Sequence, residues 1–276
     1  MVHNSLPPIR ACIFDMDGLL INSEDIITRA IDTALAKHGR PPIPPSIRAK
    51  LMGIPDSTSS DVFHDWAKVP IDRKQFDREL SEEMKREFVN CEPMPGAQKL
   101  LSSLGHARCS SRGVQIGLAL ASTTKTNTYH LKMSRPETKR LLDSFANDKR
   151  ILGDDSRIAE GCGKPAPDIY LVALNEIRKS GPEYEDVQPD QCLVFEDSVI
   201  GVEAGRRAGM RVVWVPHPHV AVELKNVQRE VLAARTESSR LGDEWQLGEL
   251  DDGWVESLSS LEELDFEKYG ISLSPR

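Results

Sequence analysis

The amino-acid sequence predicts an α/β fold in which a doubly wound parallel sheet carries an inserted block of helices. An apolar strand pattern near the N-terminus is followed by residues 23–92, where only helical patterns occur. Beyond residue 93, apolar strands alternate with helical segments, which favours a parallel sheet with right-handed crossovers. We therefore expect an α/β core made of residues 1–22 and 93–276 and an all-helical domain at 23–92.

The first part of the chain begins with the apolar run Ala11-Cys12-Ile13-Phe14, which predicts a short buried strand. From about Glu24 to His38, apolar residues recur at helical spacing, and Ser23 is the predicted N-cap. Gly39 and the proline-rich run at 41–45 end this helix. The other helical patterns and the return linker lie near Ser46–Met52, Ser57–Lys68, Asp72–Asn90 and Pro93–Gly96.

The second part of the chain alternates between strand and helix patterns. Strands are predicted at Val114–Ala121, Arg150–Leu152, Gln191–Phe195 and Met210–Val215, the last being the final strand of the sheet. Helices are predicted from Lys125 to about Phe145, at Pro167–Lys179 and at Val199–Ala208. We expect residues 105–113 and 220–253 to be exposed insertions, and the tail from Ser257 to pack back on the core.

Composition excludes several classes of protein. The 276 residues are 39% hydrophobic and 28% charged, which is enough for a sizeable core. The net charge of -8, with scattered basic residues, disfavours a nucleic-acid-binding role. Five cysteines without a CxxC pair indicate a reducing compartment and no zinc site. Because the chain has neither an apolar signal core nor a stretch of about 20 apolar residues, we predict a cytoplasmic protein without a membrane partner.

The tetrapeptide Asp15-Met16-Asp17-Gly18 follows the first predicted strand and places two carboxylates close together. Neighbouring acids repel, and a bound cation, a shared proton or full solvation would relieve that repulsion. Gly18 permits the sharp turn that aims both side chains and the Met16 amide into one cleft. Alone, this motif is also typical of an ordinary turn.

Three more polar clusters follow predicted strands or loops at the same edge: Ser122, Lys164, and the pair Glu196-Asp197. Taken separately, Ser122 and the two acids are typical helix caps, and Lys164 is typical of a solvated surface. Together with Asp15 and Asp17 they supply acids for a cation and a hydroxyl and an ammonium for anionic oxygens. This combination predicts a Mg²⁺-dependent phosphoryl-transfer site.

These clusters, in this order and context, resemble the haloacid dehalogenase superfamily of phosphohydrolases and mutases, and more narrowly its pseudouridine-5'-phosphatase-like phosphatases. The resemblance covers most of the chain and implies a Rossmann-like core with residues 23–92 as a small helical cap. It is carried by the segments 14–20, Met94-Pro95-Gly96-Ala97, Gly153-Asp154-Asp155, Gly163-Lys164-Pro165, Val194-Phe195-Glu196-Asp197, Gly201-Val202-Glu203-Ala204 and Ala208-Gly209-Met210.

The resemblance implies that Asp15 is the nucleophile, which forms an aspartyl-phosphate. It implies that Asp17 protonates the leaving oxygen and then deprotonates water. The implied ligands of Mg²⁺ are Asp15, the Asp17 carbonyl and Asp197, with Glu196 as a direct or outer partner.

The remaining site residues hold the phosphoryl group. The resemblance implies that Ser122 and Lys164 contact its oxygens, and the position of the Met16 amide suggests a further contact. Thr123, Thr124 and Lys125 are expected to add secondary contacts at a helix N-terminus.

Departures from the family narrow the reaction. The related β-phosphoglucomutases carry a histidine where Ile27 stands here, which disfavours a mutase, and retention of Asp17 favours phosphomonoester hydrolysis over dehalogenation. We expect a monomeric phosphatase of a small phosphorylated metabolite, with pseudouridine 5'-phosphate or a related nucleotide as the first candidate. A sugar- or polyol-phosphate phosphatase and a catalytically silent binding module are the alternatives.

Overall fold

The sheet is built from six parallel strands that bring the ends of widely separated sequence segments to one edge. The structure, a computed structural model, describes residues 6–52, 60–236 and 248–273. The strands run in the order β4-β3-β1-β5-β6-β7, and every pair is parallel. They are β1 (Ala11–Phe14), β3 (Gly117–Ala121), β4 (Arg150–Ile151), β5 (Cys192–Glu196), β6 (Arg211–Trp214) and β7 (Val255–Ser257), while β2 (Arg108–Cys109) pairs with β8 (Ile271–Ser272) outside this sheet.

Helices cover both faces of the sheet, which confirms the predicted α/β class. Along β1, Cys12 and Phe14 belong to one apolar cluster and Ala11 and Ile13 to another, as the alternation of side chains in a strand requires. The helices are α1 (Ser23–Lys37), α2 (Pro45–Leu51), α3 (Asp61–Ala67), α4 (Arg73–Phe88), α5 (Ala97–Leu104), α6 (Thr126–Lys132), α7 (Pro136–Leu142), α8 (Asp168–Arg178), α9 (Val199–Arg207), α10 (Pro218–Glu223) and α11 (Gln228–Leu232).

Helices α1 to α4 form a helical block with an apolar cluster of its own. Phe63 and Phe76 stack in that cluster with ring centroids 5.7 Å apart, and both are fully buried. The two connections to the sheet run side by side: the Asn22 amide donates to the Glu92 carbonyl at 3.0 Å, and the Glu92 amide donates to Asn22 Oδ1 at 2.8 Å. The domain boundaries at 22/23 and 92/93 stay a prediction.

Two local predictions in the helical block need comment. Ser23 is wrong as an N-cap, because α1 has Asn22 at that position and the Ser23 hydroxyl instead donates to Asp17 at 2.6 Å. The helix predicted from Ser57 begins at Asp61, after the N-cap Ser60, whose side chain accepts from the Phe63 amide. Residues 53–59 lie outside the described residues.

The C-terminal region and the insertion at 105–113 contain more regular structure than their polar sequences suggested. Met210–Val215 is not the final strand, because β7 adds a parallel edge beside β6. The insertion at 105–113 contains β2 and buries Cys109, and that at 220–253 contains α11 and buries Val220 and Val231. These apolar side chains, spaced among polar ones, are enough to anchor both segments. Residues 237–247 are outside the described part of the chain.

Candidate active site

The polar clusters predicted from the sequence meet at the carboxyl edge of the three central strands. Strands β3, β1 and β5 are adjacent, and Phe14 of β1 is in register with Leu120 of β3 and Phe195 of β5. Parallel strands in register end at the same level, so the residues that follow them share one cleft. The residues placed there are Asp15, Asp17, Ser122, Glu196 and Asp197, and Lys164 reaches them from the loop before α8.

Lys164 is the central cation of this cluster. Its Nζ donates to Asp15 Oδ1 at 2.6 Å, to Glu196 Oε1 at 2.6 Å and to the Ala121 carbonyl at 3.1 Å. The side chain is 2% exposed, and its ammonium lies 5.0 Å from the centroid of the Tyr170 ring. A buried ammonium with three acceptors is held in one place and stays charged, since its acidic partners raise the pKa of Lys164 despite burial.

The acids outnumber their compensating charge. Burial raises the pKa of Asp15 to about 7, with Glu196 and Asp17 adding to the rise and Lys164 opposing it. The pKa of Asp197 is also raised well above its ordinary value, by burial first and by the charges of Glu196, Asp15 and Glu24. The cluster therefore has a surplus of negative charge that a cation would stabilise.

Glu196 is fixed by hydrogen bonds to both of its oxygens. Besides Lys164, the Tyr170 hydroxyl donates to Oε1 at 2.6 Å. On the other side, Oε2 accepts from the amides of Asp197 and Ser198, at 3.0 and 3.1 Å, and from the Ser198 hydroxyl at 3.1 Å. A carboxylate held from both ends keeps Lys164 oriented toward Asp15.

A divalent cation fits the residues at this edge. One oxygen each from Asp15, Glu196 and Asp197 lies within 4.8 Å of the others, and all three side chains are buried. In the described residues, Asp197 Oδ2 is buried with no hydrogen-bond partner, which is costly unless a cation takes that place. This group, the set of candidate ligands found among the described residues, consists of hard carboxylate oxygens, which suit Mg²⁺.

Asp17 lies in a different setting, although it is two positions from Asp15. Its Oδ1 accepts from Ser23 Oγ at 2.6 Å and from Lys132 Nζ at 2.5 Å, and its Oδ2 accepts from Thr124 Oγ1 at 2.6 Å. Burial alone would raise the pKa of Asp17, but Lys132 and the hydroxyl donors together hold it below its ordinary value. Asp17 is therefore an ionised carboxylate in this arrangement.

The other predicted phosphate contacts are Ser122, Thr123, Thr124, Lys125 and the Met16 amide, of which Ser122 and Thr124 lie next to Asp17. Ser122 is fully buried, and its hydroxyl lies 3.3 Å from Asp17 Oδ2 and accepts from the Thr124 amide at 3.1 Å. Thr124 faces Asp17, Thr123 is half-buried and Lys125 is exposed. Met16 is a buried core residue whose backbone lies between the two aspartates.

Sequence reasoning missed Lys132 and Tyr170. Lys132 is 3% exposed at the end of α6 and lies 4.7 Å from the centroid of the Phe88 ring of α4. A lysine on an amphipathic helix is ordinarily solvated, so nothing local marked it. Tyr170 could have been found from the sequence, because it lies in the first turn of α8, the helix that follows the Lys164 loop. In the structure its ring lies beneath the Lys164 ammonium.

Comparison with known proteins supports the family seen in these motifs. The family model for haloacid dehalogenase-like hydrolases matches residues 12–215. The chain belongs to this family. It is 35% identical to a probable pseudouridine-5'-phosphatase of Saccharomyces cerevisiae, over 95% of this chain and 98% of the relative. It is 31% identical to (DL)-glycerol-3-phosphatase 2 of Arabidopsis thaliana, over 87% of this chain and 92% of that protein.

Solved structures agree with that assignment. A haloacid dehalogenase family hydrolase from Deinococcus radiodurans, crystallised with phosphate and sodium, superposes with a TM-score of 0.58 and 25% identity, covering 83% of this chain and 96% of the other. The predictions of the superfamily and of a hydrolase acting on phosphate monoesters are thereby confirmed. Among the helices of the described residues, none is long and apolar enough to cross a membrane.

Proposed function

We propose that this protein is a Mg²⁺-dependent phosphatase that hydrolyses a small phosphomonoester through an aspartyl-phosphate on Asp15. The observation that carries the proposal is the buried cluster in which Lys164 pairs with Asp15 and Glu196 beside the unpartnered Oδ2 of Asp197. A carboxylate attacks a phosphate dianion poorly unless nearby charges are cancelled. Lys164 and a cation held by the acids would supply that cancellation.

Each half of the reaction uses Asp15 and Asp17 in different roles. In the first half, an Asp15 oxygen bonds to phosphorus, the bond to the leaving oxygen breaks, and Asp17 gives that oxygen its proton. In the second half, a water oxygen bonds to phosphorus while Asp17 takes a proton from that water, the bond between the Asp15 oxygen and phosphorus breaks, and inorganic phosphate leaves with the Asp15 carboxylate restored. Lys164 and the Ser122 hydroxyl stabilise the phosphoryl oxygens in both halves.

The lowered pKa of Asp17 suits the second half, where it acts as a base. In the first half it must carry a proton. A phosphate dianion in the cleft favours the protonated form, because a nearby anion raises the pKa of a carboxyl group. The contacts with Lys132 and Thr124 then hold the side chain in place.

The residues proposed to hold Mg²⁺ are Asp15, the backbone carbonyl of Asp17, and Asp197, with Glu196 as a direct or outer partner. When bound, the ion would neutralise the carboxylates and the phosphoryl oxygens and so lower the repulsion between them. Gly18 leaves the space that such a site needs, since a Cβ there would lie 2.2 Å from Asp197 Oδ2.

The helical block is proposed to be a lid that excludes water and reads the leaving group. Ser23 at the start of α1 contacts Asp17, and Phe88 at the end of α4 contacts Lys132, so one end of the block touches the acid–base residue and the other touches the lysine that binds it. Closure of such a lid protects an aspartyl-phosphate from premature hydrolysis.

The proposed substrate is pseudouridine 5'-phosphate or a related nucleotide, supported by the yeast relative that matches nearly the whole chain. A polyol phosphate is the second candidate, because the Arabidopsis relative is named for glycerol 3-phosphate. Both leaving groups are uncharged and hydroxylated.

The test is a steady-state comparison of kcat/KM for pseudouridine 5'-phosphate, uridine 5'-phosphate, glycerol 3-phosphate, glucose 6-phosphate and 4-nitrophenyl phosphate with Mg²⁺. We expect turnover of the aryl phosphate and a preference for the first compound. Preference for glycerol or glucose phosphate would favour the second candidate. Absence of turnover with every compound would contradict the phosphatase proposal and leave the silent binding module.

A further inference from the structure

A buried ion pair lies inside the helical block, facing the proposed site. The guanidinium of Arg48 in α2 pairs with the carboxylate of Glu24 in α1, and the two side chains are 7% and 9% exposed. Arg48 Nε also donates to Thr28 Oγ1 at 2.9 Å, and Thr28 Oγ1 donates to the Glu24 carbonyl at 2.9 Å. Each charge is thus fixed in one orientation.

Gly18 is the residue that separates Glu24 from the acidic cluster. A Cβ placed on Gly18 would lie 2.8 Å from Glu24 Cγ and 2.2 Å from Asp197 Oδ2. The pair therefore borders the cleft in which Asp15 would hold a phosphoryl group.

Packing of α1 against α2 does not require this pair. Removing two charges from water costs free energy that their mutual attraction often fails to recover, and apolar side chains of similar size pack as well or better. In each other ion pair among the block's described residues, at least one side chain is partly exposed, as in Lys37 and Glu83, whose charged atoms are 2.7 Å apart. Glu24 lies at the start of α1, beside Ser23, whose hydroxyl donates to Asp17, the residue proposed to protonate the leaving oxygen.

We propose that Glu24, paired with Arg48, is a charge filter for the leaving group. The inference rests on the proposed phosphatase function and narrows its substrates to phosphomonoesters with an uncharged, hydroxylated leaving group. The Glu24 carboxylate accepts hydrogen bonds from hydroxyl groups and repels a second anionic group. It also occupies the guanidinium of Arg48, which would otherwise attract such an anion.

A matched pair of substrates tests the filter. Glycerol 3-phosphate and 3-phosphoglycerate differ by one terminal group, a hydroxymethyl in the first and a carboxylate in the second. We expect the unmodified protein to prefer glycerol 3-phosphate in kcat/KM. In Glu24→Gln, the repulsion is lost and Arg48 is released, so this preference should fall by about tenfold. In the double variant Glu24→Gln/Arg48→Met, the part of the gain for 3-phosphoglycerate that depends on the released Arg48 should disappear, and only the part due to lost repulsion should remain.

Two controls separate the filter from a structural role. Glu83→Gln removes a carboxylate from another ion pair in the same block and should leave the preference unchanged. Glu24→Asp keeps the negative charge and should retain discrimination against 3-phosphoglycerate, which gives a second reading if the Gln variant fails to fold. Equal changes for both substrates in Glu24→Gln would overturn the charge filter.

A binding measurement distinguishes failure of the filter from failure of the proposed function. Dissociation constants for both compounds are measured by calorimetry with Mg²⁺ in the Asp15→Asn background, with and without Glu24→Gln. A shift in the affinity ratio without turnover by the unmodified protein would retain the filter and reject the phosphatase. Turnover with an unchanged ratio, in kcat/KM and in affinity, would reject the filter and retain the phosphatase.

Discussion

Asp15 and Asp17 come from the same turn, yet the protein gives them opposite electrostatic surroundings. Burial raises the pKa of Asp15 to about 7, with Glu196 and Asp17 adding to the rise and Lys164, which Asp15 shares with Glu196, opposing it. Asp17 has Lys132 and hydroxyl donors around its carboxylate, and its pKa falls below the ordinary value. Two residues of the same chemistry thereby acquire different properties from what packs beside them.

The difference between the two pKa shifts follows from the directions in which the side chains of Asp15 and Asp17 point. One aspartate faces β5 and the loop that carries Lys164, whereas the other faces α6 and the start of α1. Around Asp15 the carboxylates exceed the charge of Lys164, so a further cation would stabilise them, which suits a nucleophile next to a metal. The charge of Asp17 is already compensated by a protein cation, which suits a proton carrier. Four experiments would break or sharpen this contrast.

The largest effect is expected from Asp15→Asn. The amide is nearly isosteric but a poor nucleophile, so turnover should fall by at least about 10⁴-fold while the melting temperature is retained or raised. Acid-quenched enzyme with substrate, examined by mass spectrometry, should carry a phosphoryl group in the parent and none in the variant. A folded variant with substantial turnover would remove Asp15 from the nucleophile's role.

Removal of metal should have the next largest effect. Chelation should silence the enzyme and added Mg²⁺ should restore it, because the acids around Lys164 lose their compensating charge.

The stability of the metal-free protein should depend on pH. Since the folded-state pKa of Asp15 is raised, the folded protein binds more protons than the unfolded chain between about pH 4 and pH 7, and metal-free stability falls as pH rises through that window. Thermal melts should show greater stabilisation by Mg²⁺ at pH 8 than at pH 6. Full activity after exhaustive chelation would contradict the site.

Lys132→Met tests the other setting and should lower kcat by about 10- to 100-fold with a smaller change in KM, because Asp17 loses the cation that orients it. Lys139→Met is the matched control, since Lys139 pairs with Asp143 on the surface at 2.6 Å. If both variants retained the parent kcat, the contact with Lys132 would have no part in turnover.

Tyr170→Phe should have the smallest effect. Loss of its hydrogen bond to Glu196 should cost about 1–2 kcal/mol of unfolding free energy and lower kcat by less than about tenfold. Tyr184→Phe removes a hydroxyl that donates to the Gln115 carbonyl at 3.0 Å, away from the site, and serves as the control. The free energy of unfolding from chemical denaturation and kcat are measured for both variants. If Tyr170→Phe and Tyr184→Phe changed both quantities equally, Tyr170 would have no role in holding Glu196.

The sequence predicted the sheet and its catalytic edge because both rest on local patterns. Apolar runs such as that of β1 end at a polar residue, and parallel strands in register bring those ends together. Asp15, Ser122 and Asp197, which each follow a strand directly, could therefore be placed in one cleft from the sequence alone.

What escaped prediction depends on long-range packing. Lys132 lies eight residues beyond Thr124 on a helix with other polar residues, and only the fold shows that Phe88 covers it from the helical block. The strand β7 is three residues long and is stabilised by its pairing with β6 rather than by its own sequence pattern. Short strands and buried charges of this kind carry no periodic signal.

The paired connections at Asn22 and Glu92 have a consequence for how the molecule is assembled. Because the outgoing and returning chains are joined to each other by hydrogen bonds, the covalent connection between the sheet and the helical block is a narrow two-strand stem. Nothing in the register of β1, β3 and β5 depends on what the stem carries. We therefore expect the strand ends that hold Asp15, Ser122 and Asp197 to keep their places when the block changes in length or sequence, provided that its contacts with Asp17 and Lys132 are retained.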